Sequence, residues 1–264
     1  MEGLIVIILV VVGGVWVSAN SSSRRRNANF AQLAIKLGSY KLSPHQIELL
    51  NDFVPYYKGL PVQLKPKFES RLAYFIKIKD FAGADGISPT LEMQTLIGAV
   101  AIKLTMGFKE FMLPHFHTIF IYPKEYYSED TGFYHQGEVN LKGHIKLSWN
   151  HFSTGIANAT DGLNLAVHEF AHAVYFENQI PNSHYHFMPP AKLRAWKVLA
   201  EREMEQMELN ENHFIRDYGA TNISEFFAVS TEHFFEQPHE FRDKHAELYK
   251  AMVHLFKQDP RRYV

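Results

Sequence analysis

The segment His168-Glu169-Phe170-Ala171-His172 places two histidines four positions apart with a glutamate between them. Positions i and i+4 of an α-helix lie one turn apart on the same face, so both imidazoles can bind one metal ion. The intervening carboxylate then faces the open coordination position of a catalytic zinc. The alternatives are two solvated helix histidines, or a His172 packed in the core. Because of the glutamate, the motif predicts a helix, a Zn²⁺ ion and a hydrolase.

The residues around the motif predict how its helix is oriented. Asp161 has the character of an N-cap, and apolar residues follow it at helical spacing, namely Leu163, Val167, Phe170 and Val174. These four positions share one face of the helix, and the two motif histidines fall on the opposite face. We therefore expect the helix to bury one side in the core and to present its histidines on the other.

Composition narrows the class of protein and the choice of ligands. The chain has 264 residues, of which 46% are apolar, and this is ample for the core of a globular protein. Its formal net charge is −1 with both signs mixed, so no global field attracts nucleic acid. Cysteine is absent, which leaves only histidine, aspartate and glutamate as metal ligands.

The N-terminal segment differs from the rest of the chain. Residues 3–19 carry no charge, and the arginines at 24–26 follow them, whereas Glu2 precedes them. By the positive-inside tendency, residues 1–20 are predicted to be a single-pass anchor in the cell membrane, with the catalytic domain in the cytoplasm. Residues 21–29 are then a linker. Val17-Ser18-Ala19 resembles a cleavage site, so an exported protein and a buried hydrophobic tail are the alternatives.

The soluble body, residues 30–264, divides into a helical part (30–112) and a catalytic part (113–264). Helices are predicted from Pro44 to Phe53, from Lys65 to Phe81, and from Thr90 to Leu104 with Ser88 as the cap. Strands are predicted at Thr118–Tyr122, Gly137–Val139 and His144–Trp149. This order predicts an α+β fold of the zincin type, mostly helical, with a small mixed sheet before the motif helix.

The predicted sheet bears on substrate binding, because an extended peptide can add as a strand along a sheet edge. The segment from His144 to Trp149 alternates in polarity. It is either that edge or an ordinary core strand, and we favour the core strand.

A catalytic zinc needs a third protein ligand. The extension H-E-x-x-H-x-x-G-x-x-H does not apply, because Tyr175 and Asn178 occupy the glycine and histidine positions. The predicted helix from 222 to 235 offers Glu225 and Glu232 on one face, and either is a candidate ligand. Glu225 could instead complete a capping box with Asn222. Glu232 could instead orient a ligating histidine.

The two helices together resemble the Mlc titration factor A family of zinc peptidases, which is related to the catalytic domain of anthrax lethal factor. The likeness is carried by the motif and by the run of residues 225–229, Glu-Phe-Phe-Ala-Val. It extends in order and spacing to Phe116-His117-Thr118, Ile121-Tyr122-Pro123, Gly137-Glu138, Leu147-Ser148-Trp149 and Asp161-Gly162. It covers about residues 40–250.

The resemblance implies a gluzincin-type site with one Zn²⁺ ion per chain. In this family pattern His168, His172 and Glu225 are the metal ligands, and Glu169 is the general base. Tyr218 matches a tyrosine beside the zinc, where a phenol can donate a hydrogen bond to the oxyanion of the tetrahedral intermediate. A Tyr218 that merely packs in its loop is the alternative.

Two functions are expected from these residues. The first is a zinc metallopeptidase acting on a peptide or protein substrate. The second follows from the Mlc partner that the resemblance implies: a protein-binding regulator of a transcription factor or sugar-uptake system, with zinc largely structural. Glu169 favours catalysis, because a structural zinc site needs no base beside its ligands. The chain departs from the family in its N-terminal segment and in Ala173-Val174, where Leu-Asp is usual.

Overall fold

The computed structural model describes residues 34–36, 38–129, 131–158, 160–180, 188–209 and 213–263. The predicted anchor at residues 1–20 and the linker at 21–29 lie outside these residues, so both stay predictions. Within the described ranges, no helix combines the length and the apolar character needed to cross a bilayer.

The described chain folds into helices around a small sheet. The helices are α1 (Pro44–Phe53), α2 (Pro55–Gly59), α3 (Lys65–Ile78), α4 (Leu91–Thr105), α5 (Trp149–Ala157), α6 (Leu165–Glu177), α7 (Pro190–Leu209), α8 (Ile223–Glu236), α9 (Pro238–Lys244) and α10 (Ala246–Phe256). The strands are β1 (Asp80–Gly83), β2 (Thr118–Tyr122), β3 (Tyr126–Ser128), β4 (Phe133–His135), β5 (Gly137–Asn140) and β6 (His144–Ser148). Short 3₁₀ turns lie at Asp217–Thr221 and Pro260–Arg262. The fold is α+β and helix-rich with a small mixed sheet, as predicted.

The main sheet has four strands in the order β1-β2-β6-β5. Strands β1, β2 and β6 run parallel, with Thr118 beside both Asp80 and His144, and β5 pairs antiparallel to β6. Strand β6 is therefore an interior strand, which confirms the core interpretation of this segment. The edge near the motif helix is β5, so the suggestion that β6 forms that edge is wrong. A separate hairpin pairs β3 with β4.

Helix α6 carries the motif through the centre of the molecule. It packs against α8, α4, β5 and β6, and Val167, Phe170 and Val174 are fully buried. Such a helix is nearly surrounded by protein, and its position comes from burial of apolar surface rather than from helix propensity. Leu163 does not join this stripe, because it precedes the helix and its side chain is 52% exposed.

Two predicted helix bounds differ from the structure, and a third agrees with it. Helix α3 ends at Ile78 rather than Phe81, because the chain from Asp80 onward pairs with β2 and adds a strand inside the part predicted to be helical. Thr90, not Ser88, caps α4 through a hydrogen bond from the Met93 backbone amide. Helix α1 begins as predicted, with Ser43 as N-cap in a complete capping box.

Candidate metal centre

The start of α6 is fixed three residues later than the sequence predicts. Asn164, not Asp161, is the N-cap, and its side-chain oxygen accepts a hydrogen bond from the Val167 backbone amide. Gly162 just before it adopts a φ of 73°, and a Cβ there would lie 2.6 Å from His233 Nδ1. This tight loop explains why the helix cannot begin at Asp161.

Three donor atoms converge between α6 and α8. The Nε2 atoms of His168 and His172 lie 3.1 Å apart. The Oε2 atom of Glu225 is 3.0 Å from the first nitrogen and 3.3 Å from the second. Among the described residues, these three form the group of side chains that could hold a metal ion.

The donor set fits a metal cation. Ligand atoms about 2.0–2.1 Å from a tetrahedral ion are separated from one another by roughly 3.3 Å, close to the spacing found here. The Nδ1–H of His168 donates a hydrogen bond to a Glu232 carboxylate oxygen, so a cation that displaces the proton from Nε2 would meet a lone pair there. Lone pairs and a carboxylate directed at one point need a positive charge between them.

Glu225 is not the second half of a capping box. Asn222 does cap α8, and its side chain accepts hydrogen bonds from the backbone amides of Ser224 and Glu225. The Glu225 carboxylate, however, lies against the two imidazoles rather than returning to the helix start.

Glu232 supports the centre from behind. Its carboxylate is 2% exposed, and Oε1 lies 2.8 Å from His168 Nδ1 and 2.5 Å from an Arg216 guanidinium nitrogen. Its other oxygen accepts a hydrogen bond from the Asn164 backbone amide. A carboxylate on the outer nitrogen of a histidine fixes the orientation and tautomer of the ring. The structure therefore places Glu232 in the orienting position and not in the group that could bind metal.

His172 is held in the same way by a different partner. Its Nδ1 lies 2.9 Å from the Ser224 hydroxyl, and its ring stacks against Phe176 with 5.6 Å between centroids. Both imidazoles are thus fixed at their outer nitrogens, which leaves their Nε2 atoms directed at the common point.

Glu169 lies beside this point and against the sheet edge. A Cβ at position 137 would lie 2.5 Å from a Glu169 carboxylate oxygen, so only glycine lets β5 approach so closely. Glu169 is 6% exposed, and burial raises the pKa of its carboxyl group. The glutamate of the motif is therefore packed between the histidines and strand β5.

The charges of the centre stabilise one another. Burial alone would lower the pKa of His168, but hydrogen bonds to Glu225 and Glu232 raise it to about 10. Burial raises the pKa of Glu225, and hydrogen bonds from the two imidazoles outweigh this and lower it to about 2. The centre therefore favours positive charge between these groups, which is the electrostatic condition for binding a metal cation.

Tyr218 stands at the mouth of the centre. Its ring centroid is 5.9 Å from that of His168, and its side chain is 55% exposed. Partial burial and the nearby charges of Glu225 and Glu169 raise the pKa of its hydroxyl. The phenol thus stays protonated at neutral pH and is a hydrogen-bond donor.

A cleft with two lobes opens on the centre. The larger lobe has a volume of about 480 Å³ and the smaller one about 210 Å³. The residues common to both lobes are His135, Gly137, His168, Glu169 and Tyr218. The site predicted from the sequence is therefore the floor of an open cleft along β5.

Behind the centre, the carboxyl group of Glu236 is buried where its ionised form is unfavourable. One of its oxygens accepts a hydrogen bond from the Asn164 side-chain amide, and the other is buried without a partner among the described residues. Burial raises the pKa of this carboxyl group from 4.5 to about 7, although Lys103 opposes the shift. The folded protein therefore binds a proton that the unfolded chain releases between those pH values, and stability falls as pH rises through this window.

Glu236→Gln is accordingly expected to raise the free energy of unfolding by about 3 kcal/mol at pH 8, and by little below pH 4. The amide keeps the oxygen that accepts from Asn164 and removes the buried charge. Urea unfolding at several pH values measures the difference. The matched control is Glu240→Gln on the surface, where about 0.5 kcal/mol or less is expected at any pH. A pH-independent difference, or a destabilised variant at pH 8, would contradict the prediction.

All five residues predicted for the site meet at one place, namely His168, Glu169, His172, Tyr218 and Glu225. Three further residues hold them and were not predicted from the sequence, namely Gly137, Arg216 and Ser224. A glycine inside a strand is a signal of close backbone approach and could have pointed to the first. For Arg216 and Ser224 no local pattern exists, because their contacts arise only from how α6 and α8 pack.

Known proteins resemble the chain over most of its length. It is 29% identical to the uncharacterized protein slr2042 of Synechocystis sp. over 235 residues, covering 83% of this chain and 86% of that relative. It is 24% identical to Mlc titration factor A of Yersinia enterocolitica over 249 residues, covering 84% and 90%. The Yersinia pestis protein of the same name is 24% identical, with 84% and 89% covered.

The family model of the glucose-regulated metallo-peptidases M90 matches residues 22–257 and so includes the motif helix, α8 and the sheet. This match and the Mlc titration factor A relatives confirm the family predicted from the sequence. The chain belongs to the glucose-regulated metallo-peptidase M90 family.

Proposed function

We propose that the protein is a zinc-dependent metallopeptidase that hydrolyses peptide bonds, with one Zn²⁺ ion per chain held by His168, His172 and Glu225. The observation that carries this proposal is the convergence of their three donor atoms within 3.3 Å of one another. Two imidazoles and one carboxylate are a ligand set of catalytic zinc, which keeps one position open. Membership of a metallo-peptidase family supports the same reaction class.

Zinc in this centre would supply Lewis acidity to the scissile carbonyl and to water. Glu169 borders the cleft next to His168, and we assign it the role of accepting a proton from the attacking water and passing it to the leaving amine. Tyr218 is assigned the hydrogen bond to the developing oxyanion. Strand β5 would hold the substrate in extended form through main-chain hydrogen bonds.

Metal removal tests this proposal. Treatment with a chelator is expected to reduce cleavage of a peptide mixture to background, and Zn²⁺ is expected to restore it. Mg²⁺ is the control and should not restore cleavage, because it prefers oxygen ligands in octahedral geometry. Mass spectrometry of the products measures cleavage, and elemental analysis measures the bound metal. Full peptide cleavage by protein from which the metal has been removed would contradict the proposal.

A second candidate is a protein-binding regulator in which the metal is largely structural. It is supported by the relatives named Mlc titration factor A, a name that points to a regulatory protein as partner. The position of Glu169 at an open cleft favours the peptidase. Binding of such a regulator by the parent and by Glu169→Gln alike, with no peptide cleavage by the parent, would favour the second candidate.

A further inference from the structure

His135 lies at the junction of the two lobes of the cleft. The residues that border both lobes are His135, Gly137, His168, Glu169 and Tyr218. The scissile bond of a substrate must lie at this junction, because the candidate ligands and the base of the proposed reaction meet there. Four of the five residues are a ligand, the base, the oxyanion donor and the glycine that lets the base approach β5. The imidazole of His135 is the fifth group.

His135 stands on the strand side of the junction. It ends β4 and precedes Gly137 by two positions, and the Glu169 carboxylate packs against Gly137. Tyr218 comes instead from the 3₁₀ turn before α8. The imidazole therefore lies on the side of the base. In the proposed reaction this base delivers its proton to the nitrogen of the scissile bond.

One ring nitrogen of His135 is anchored. Nε2 lies 2.6 Å from the hydroxyl oxygen of Thr131, in the turn between β3 and β4. A hydroxyl oxygen has two lone pairs, of which the Phe133 backbone amide uses one, so the second can accept the Nε2–H. We assign the proton of the neutral ring to Nε2, which leaves a lone pair at Nδ1. Among the described residues, Nδ1 has no hydrogen-bond partner.

Resting on the proposed peptidase function, we propose that His135 is a catalytic residue whose Nδ1 accepts a hydrogen bond from the nitrogen of the scissile bond. In that reaction the oxygen of water adds to the carbonyl carbon, and Glu169 takes a proton from the water and passes it to the nitrogen. The C–N bond then breaks, its electron pair stays on the nitrogen, and an amine and a carboxyl group result.

This hydrogen bond favours the transition state over the bound substrate. The nitrogen is neutral in the planar peptide bond and carries positive charge once it has received the proton. A hydrogen bond from a charged donor is roughly twice as strong as one from a neutral donor. Because the contact strengthens as the reaction proceeds, it lowers the barrier and raises kcat.

Two substrates that differ only at the scissile bond test the contact. One is a peptide, and in the other an ester oxygen replaces the N–H group. His135→Ala is expected to lower kcat/KM for the peptide on the order of 10–100-fold more than for the ester, because the ester has no N–H to donate. The loss should fall on kcat and leave KM unchanged. His135→Asn keeps an acceptor near the position of Nδ1 and should restore most of the difference.

A binding measurement provides a readout that does not depend on turnover. Two tetrahedral phosphorus analogues of the same peptide are compared, a phosphonamidate with an N–H group and a phosphonate with oxygen in its place. His135→Ala is expected to raise the Ki of the phosphonamidate on the order of 10–100-fold and to leave that of the phosphonate unchanged. All measurements are made with saturating Zn²⁺, and the bound metal of each variant is determined.

His151→Ala is the matched control. Of the two lobes, His151 borders the larger one, and Ser148 and Glu125 hold its two ring nitrogens. It should leave both ratios unchanged. If His135→Ala affects the two members of each pair equally, or affects none, this inference is overturned and the peptidase assignment stands. A parent protein that cleaves neither substrate and binds neither analogue overturns both.

Discussion

Glu169→Gln is expected to lower kcat for peptide hydrolysis by about 10²–10⁴-fold while the protein keeps its metal and its fold. Glutamine has the same shape as glutamate and fits the space between His168 and β5. In the parent protein a Glu169 carboxylate oxygen occupies the space next to Gly137 that a Cβ atom would otherwise fill. The amide, however, cannot accept a proton at neutral pH. The loss should therefore fall on the chemical step rather than on binding of the substrate.

Steady-state kinetics with one peptide substrate and elemental analysis of bound zinc together measure this effect. Glu201→Gln on the exposed side of α7 is the matched control, because its partner Lys197 is also on the surface, and no change is expected there. If Glu169→Gln binds zinc as the parent does and cleaves the peptide at the parental rate, Glu169 is not the general base.

Glu225→Ala is expected to weaken zinc binding on the order of 10²–10³-fold, because one of three protein ligands is lost. The parent carboxylate lies 3.0 and 3.3 Å from the two Nε2 atoms, and alanine leaves both Nε2 atoms without a negative partner. Competition with a chromogenic chelator measures the affinity. Circular dichroism checks that α8, capped by Asn222, stays folded.

Glu232→Gln is the matched comparison for Glu225→Ala. A residue that orients a ligand without touching the metal is expected to change affinity by about 10–100-fold. The order of the two effects therefore separates ligand from support. Equal zinc affinity in Glu225→Ala and the parent would remove Glu225 from the ligand set, and a larger loss in Glu232→Gln would reverse the two roles.

The sequence predicted the motif helix and its histidines well because helical geometry is local. A spacing of four residues puts His168 and His172 on one face wherever the helix lies. The predicted start of that helix was wrong by three residues, because aspartate and asparagine are both favoured N-cap residues and the sequence offers Asp161 as well as Asn164. The choice between them depends on Gly162 packing against His233, which is a tertiary contact.

The local sequence pattern alone could not decide which glutamate is the third member of the centre. Glu225 and Glu232 are seven residues apart, about two helical turns, so they lie on the same face of α8. Which carboxylate meets Nε2 and which meets Nδ1 of His168 depends on the angle and height at which α8 packs on α6. The family resemblance pointed to Glu225, and the packed helices bring its carboxylate to Nε2 and that of Glu232 to Nδ1.

Which strand forms the edge of the sheet also could not be predicted from the sequence. Residue alternation predicts that His144 to Ser148 is a strand but does not give the order of strands in a sheet. Parallel pairing of β6 with β2 places it inside, and the short β5 takes the edge. Without that order, Gly137 and Arg216 cannot be recognised as walls of a cleft.

The most direct test of a catalytic metal centre is the coordination of zinc in the intact protein, determined by crystallography or X-ray absorption. We expect one Zn²⁺ ion bound by Nε2 of His168, Nε2 of His172 and a carboxylate oxygen of Glu225. Distances of about 2.0–2.2 Å are expected, with the fourth position open to solvent. A fourth protein ligand that closes the site, or a Glu225 carboxylate that does not touch the ion, would contradict the account.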